Sequence, residues 1–207
     1  MDEIPKAIHT YTRVLLIRDF NNDGNDPVKA AEAYRTMGMW AECFLQLGQL
    51  ELARDAFKKI EQTAIEYFGE QSLQRGQAFQ SLGNVHVELG QWKEAEVAYK
   101  LALSLDKFGK STENVAVSAG CHYNLGLLLS AQDRHPEAAE AFRAAVDKKT
   151  RAGAKPDDAG LVEAQACLAS ATKGERAPGA PEKPAVEPAA TAAVDPAAAA
   201  VAGEPAK

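Results

Sequence analysis

Nine positions recur three times in this chain, at intervals of 42 and then 43 residues, so it is expected to fold as stacked copies of one unit and not around a single centre. The middle copy carries Phe79, Leu82, Gly83, His86, Gly90, Trp92, Ala95, Tyr99 and Ala102. Its forerunner carries Met37, Trp40, Ala41, Phe44, Gly48, Leu50, Ala53, Phe57 and Ile60; its successor carries His122, Leu125, Gly126, Leu129, Asp133, His135, Ala138, Phe142 and Ala145. Apolar residues return at three- and four-residue spacing on both sides of Gly48, Gly90 and Asp133, which describes two helices joined by a tight turn. No sustained alternation argues for strands, and the fold class expected is all-α.

The residue types have physical reasons. Ala41, Gly83 and Gly126 lack bulk and let two antiparallel helices approach to roughly 8–10 Å, with Ala53, Ala95 and Ala138 serving the facing helix. Phe57, Tyr99 and Phe142 fill the gap between one hairpin and the next, so each copy completes its core only when its neighbour stacks on it. From Tyr34 to about Ala171 this pattern resembles the tetratricopeptide repeat (TPR) family. The usual repeat there is 34 residues; the surplus falls after the second helix, in residues 62–77 and 104–119. In that respect it is similar to the long repeats of kinesin light chains and LGN-type polarity adaptors. The resemblance implies a right-handed superhelix of antiparallel helix pairs that binds another protein or peptide segment.

Three regions are expected. Residues 1–26 form an N-terminal capping helix, with Ile8, Tyr11, Leu15 and Leu16 on one side, and an Asx-rich loop. Residues 27–173 form the array, closed by a solvating cap helix over 157–171 with Asp157 or Asp158 as N-cap. Residues 174–207 are almost entirely Ala, Pro, Glu, Val and Gly. Such a stretch buries too little surface to offset its ordering entropy and reads as a disordered tail. The four earlier prolines, Pro5, Pro27, Pro136 and Pro156, each stand where a helix could begin, the position at which a missing N–H costs little.

Totals exclude several functions. A formal net charge of −6 and a pI near 5.3 provide no basic field to hold phosphates, so nucleic acid is not an expected partner. Cys43, Cys121 and Cys167 are far apart and odd in number, which indicates neither a disulfide framework nor a zinc site. No apolar run approaches the roughly 18 residues needed to span a bilayer, and the acidic N-terminus is unlike a signal peptide. The expected setting is cytoplasmic, with no membrane and no cofactor.

In the resembling family the first helix of each repeat lines the concave side and takes the ligand. The residues there not committed to packing are Arg35, Gly38, Met39 and Glu42, then Gln77, Gln80, Ser81 and Asn84, then Tyr123, Asn124 and Leu127. They make an amide-rich, mostly uncharged groove. Asn84 and Asn124 stand where peptide-binding members often carry an asparagine, whose amide can pair with both the N–H and C=O of an extended backbone. The lysines and arginine of the carboxylate-clamp class are replaced by Gln80, Glu163 and Cys167, which argues against that class.

Three other motifs bear on ligand binding. The loop Asp19-Phe20-Asn21-Asn22-Asp23-Gly24-Asn25-Asp26 opens like an EF-hand, with Asp19, Asn21, Asp23 and Asn25 as candidate calcium ligands; Ala30 occupies the twelfth place, where a bidentate Glu is needed. Gly109-Lys110-Ser111-Thr112 imitates the end of a phosphate-binding loop, but Ser104 replaces its first glycine and a helix precedes it. His9, His86, His122 and His135 have no metal-ligand spacing. No catalytic signature is found. The function expected is an interaction scaffold or adaptor rather than an enzyme, with a structural subunit of a larger assembly (motor or ciliary complex) or a calcium-modulated adaptor as alternatives.

Overall fold

A computed structural model describes residues 27–105 and 112–183. Seven helices occupy that span: α1 (Pro27–Gln46), α2 (Leu50–Phe68), α3 (Leu73–Glu88), α4 (Trp92–Leu105), α5 (Thr112–Ala131), α6 (His135–Arg151) and α7 (Ala159–Thr172). Each packs antiparallel-fashion on the next in chain order, and no strand occurs among the described residues. The expected N-terminal helix and the Asp19 to Asn25 loop lie outside the described residues, as do Gly109, Lys110 and Ser111.

The three turns between paired helices are copies of one another. Gly48, Gly90 and Asp133 adopt left-handed backbone, with φ of 70°, 70° and 61°. Behind each, an N–H reaches back five residues: Gln49 to the carbonyl of Phe44, Gln91 to that of His86, and Arg134 to that of Leu129. That bond satisfies a carbonyl the helix end leaves unpaired. Aspartate tolerates this conformation better than most non-glycine residues, so Asp133 can replace glycine.

The small residues do what their size allows. Ala41 and Ala53 are fully buried. A Cβ on Gly83 would fall against the ring of Tyr99, and one on Gly126 would lie 2.7 Å from Cε1 of Phe142. Tyr99 and Phe142 are themselves 1% and 0% exposed. One apolar cluster runs from Met37 to Ala98 and a second from Ala95 to Ala177, so α4 presents Ala98 to one and Ala95 with Tyr99 to the other. Burial is therefore continuous along the stack, as stability shared between repeats requires.

The extra length of the long repeat is spent partly on helix. After the first repeat it carries α2 on to Phe68; after the second, part of it lengthens α5 to 20 residues. Pro27 opens α1 and Pro136 opens α6, whereas Pro156 lies in the turn before α7. Asp158 caps α7, its carboxylate accepting from the N–H of Leu161 at 2.9 Å.

The end of the array departs from expectation. Residues 174–183, the start of the segment assigned to a disordered tail, pack against the last helices. Gly174 (φ 74°) repeats the turn geometry, with the N–H of Glu175 reaching the carbonyl of Ser170. The chain then runs on without helix, because Pro178 and Pro181 remove donors and clash with a preceding turn. Ala177 is 4% exposed and gives its N–H to the buried Ser130 hydroxyl at 2.7 Å. The Cys167 thiol donates to the carbonyl of Pro178 at 3.5 Å. Cys167 stands at the place of Gly83 and Gly126, so this strap takes the position of a fourth second helix. Composition alone concealed it: a few backbone bonds and one buried alanine suffice where a neighbouring helix already supplies the surface.

Candidate functional site on the first-helix face

First helices of successive repeats touch: α3 lies against α5 and α5 against α7, while no second helix approaches its counterpart as closely. A stack more closely spaced on one side bends toward that side, so α1, α3, α5 and α7 line its inner face. The residues expected to form a groove belong to the first three of these helices.

At the centre of that face is an amide pair. Asn84 on α3 accepts at Oδ1 from the Tyr99 hydroxyl and from Nδ2 of Asn124 on α5, each at 2.8 Å. The two asparagines are 40 residues apart, three fewer than the repeat interval. They hold different repeat positions, one helical turn out of step, and that offset is what brings them into contact. Both lone-pair directions of Asn84 Oδ1 are thereby used. Its NH₂ donors, and Oδ1 of Asn124, have no partner among the described residues. The site thus presents a donor and an acceptor side by side, held by a ring that burial fixes. Burial also raises the Tyr99 hydroxyl above the ordinary tyrosine range, keeping it a proton donor to Asn84.

The flanking residues divide by role. Arg35, Met39 and Glu42 are exposed on α1, and Gln77 is half-buried on α3. Gln80, also half-buried, lays its amide over Gly120 of α5, where any side chain would collide with it. Tyr123 and Leu127, expected to be uncommitted, are packing residues in part: both lie against the cluster of Phe142, with the Tyr123 ring centroid 5.9 Å from that of Phe142. Burial raises the Tyr123 hydroxyl, and its hydrogen bond to Glu163 raises it further. Its oxygen is 4.0 Å from the Cys167 sulfur. A carboxylate at this end of the face is the wrong charge for holding a C-terminal acid.

Other features serve structure. His86 sits at a packing position with Nδ1 2.7 Å from Oε1 of Gln91; desolvation holds its pKa below the usual histidine value, partly offset by that bond. Arg134, in the third turn, bridges Glu96 on α4 at 2.7 Å and Glu137 on α6 at 2.6 Å. Burial pushes the Glu96 carboxyl up, but hydrogen bonds from Arg134 and Lys100 outweigh it and leave it below the usual range. The three cysteines are buried thiols. Among the described residues no cluster of His, Cys, Asp or Glu is placed to hold a metal, and no helix is long and apolar enough to cross a membrane.

Sequence reasoning named the amides and also Arg35, Gly38, Met39, Glu42, Gln77 and Ser81, which line a cleft beside them, but not the floor of that cleft. Tyr34, Gly38, Phe57, Ile60 and Ala78 help to line a recess of about 250 Å³ between α1 and α3. Gly38 and Ala78 were visible as small residues; the separation of the helices that opens the recess was not.

Comparison with known proteins agrees with this fold. A solved structure described as BtubC (BKLC) from P. vanneervenii is similar in fold, with a TM-score of 0.70 and 15% identity over 84% of this chain and 67% of that one. Comparison with curated proteins gives no match. Residues 30–107 match the family described as Tetratricopeptide repeat. With three copies of one helical hairpin and that match in its first two, the chain carries repeats similar to those of the tetratricopeptide repeat family.

Proposed function

We propose that this protein is a non-enzymatic scaffold that holds an extended segment of another polypeptide across its first-helix face. Repeats of this family generally mediate protein–protein interaction. The observation that carries the reading to this face is the Asn84–Asn124 pair. Its paired oxygen is consumed internally, while a donor and an acceptor are left facing outward. An extended backbone offers the complementary C=O and N–H at every residue, so such a pair can recognise a chain without regard to its side chains. The net charge of −6 and Glu163 at the far end favour a partner segment that is not strongly acidic.

Affinity capture from the cells of origin tests this, comparing the natural protein with Asn84→Ala/Asn124→Ala and with Lys93→Ala as a surface control. The double variant is expected to lose its principal partner while the control retains it. Equal recovery in all three would move the binding site off this face. A second reading has one observation in its favour: Leu52, Val97 and Leu101 on the second helices are exposed apolar side chains, as a subunit built into a larger assembly through its outer face would carry.

A further inference from the structure

The inner face is not uniform. From α3 to α7 the first helices touch, but α1 stands further from α3 than α3 does from α5. The recess of about 250 Å³ opens in that gap, floored by Phe57, Ile60 and Ala78. Met39 lines its mouth and is 44% exposed. Gly38 keeps the recess open: a Cβ there would meet nothing within 4 Å. An apolar cavity of roughly 150 Å³ takes a benzene ring, so this one has room for one large apolar side chain entering from the solvent side.

Its rim is charged with both signs. Arg35 and Glu42 line the recess from α1. Both are exposed, and neither has an ion-pair partner among the described residues. Seven residues of helix separate them by roughly 10 Å along the axis. An extended chain covers that distance in about three residues at 3.3–3.6 Å each.

We infer that the α1–α3 recess is a specificity pocket for an extended peptide carrying an acidic side chain and a basic side chain three residues apart, with a large aliphatic or aromatic residue between them. The acid pairs with Arg35, the base with Glu42, and the apolar side chain enters over Gly38 onto Phe57 and Ile60. The inference rests on the proposed binding of extended polypeptide at this face, and adds the side chains that the amide pair does not read. The two regions divide the work: backbone at α3–α5, sequence at α1–α3.

The test is selection of a random peptide library displayed on phage against the full chain. Affinities of the strongest peptide are then measured by fluorescence anisotropy for the natural protein, Gly38→Leu, Arg35→Glu/Glu42→Lys and Asn84→Ala/Asn124→Ala. The expected consensus has an acid and a base three residues apart with a large apolar residue between them, in the one order that the peptide's direction on α1 selects, such as Asp-Ala-Leu-Lys or Lys-Ala-Leu-Asp. Gly38→Leu should weaken binding at least tenfold with the far-UV spectrum retained and the melting temperature not lowered, since its side chain enters open space. The charge-reversed variant should prefer the peptide with acid and base exchanged. If Asn84→Ala/Asn124→Ala weakens binding but Gly38→Leu does not, the pocket assignment falls and the backbone-binding reading stands. Indifference to both variants, or no enriched peptide at all, overturns both.

Discussion

Gly126→Ala places a methyl group where the repeat packing is tightest. The added carbon would lie 2.7, 2.8 and 2.9 Å from three atoms of the Phe142 ring, against about 3.5–4.0 Å for carbons in ordinary contact. Either ring or helix must therefore move by about 1 Å. The ring has little freedom, because it is fully buried and Tyr123 packs beside it. Overpacking a core of this kind costs about 1–3 kcal/mol, and the better helix propensity of alanine returns about 1 kcal/mol. With the ring confined, the cost belongs near the upper end and the net loss is about 2 kcal/mol. Gly38→Ala is the matched control, in the equivalent helix of the first repeat but with open space above it. It should gain about 0.5–1 kcal/mol from propensity alone. Urea unfolding followed by far-UV circular dichroism reads both as shifts of midpoint in opposite directions. A Gly126→Ala protein as stable as the natural one would refute the close approach of α5 and α6 on which the repeat description depends.

Three further outcomes are expected. Ser130→Ala leaves the buried Ala177 N–H without a partner, at a cost of about 1–3 kcal/mol confined to the strap; trypsin should cut after Arg176 roughly tenfold faster or more, and an unchanged rate would mean that the strap is not held there. Burial holds the folded-state pKa of His86 below the ordinary histidine value of about 6.5, so its contribution to stability is present above that pH and lost as pH falls through the folded value; His86→Gln should flatten the acid side of the melting-temperature profile in that window, and an unaltered slope would remove His86 as its cause. Glu96 is also depressed, so the Arg134 bridge helps stability above the usual carboxylate range and fades as acid protonates it; Arg134→Met should cost about 1 kcal/mol or less at neutral pH and lose the corresponding acid-dependent step in urea midpoint.

What could be read from the sequence was whatever one repeat decides for itself. Gly48, Gly90 and Asp133 announce turns because few residues tolerate positive φ, and Gly83 and Gly126 announce close helix approach because any larger side chain collides. Properties of pairs of repeats were less accessible. Asn84 and Asn124 were found as residue types, yet their contact depends on a three-residue offset meeting the displacement of α5 relative to α3. The recess at Gly38 depends on α1 standing away from α3, which no spacing in the sequence records. Gly174 carries the same turn signal as the other three, 41 residues after Asp133, but its proline-rich surroundings made composition outweigh it. Tyr123 and Leu127 look solvent-facing by repeat position and are drawn into packing because α7 and the strap close over that end.

Site-specific photo-crosslinking in cells addresses the choice of face directly. Benzoylphenylalanine at Gln80 on α3 and, separately, at Val97, which is 57% exposed on α4, compares the inner and outer faces under the same conditions. Binding of an extended polypeptide to the first helices yields a partner adduct from position 80 and none from position 97. Adducts from position 97 alone would contradict the account and make the outer face the contact surface of a larger assembly.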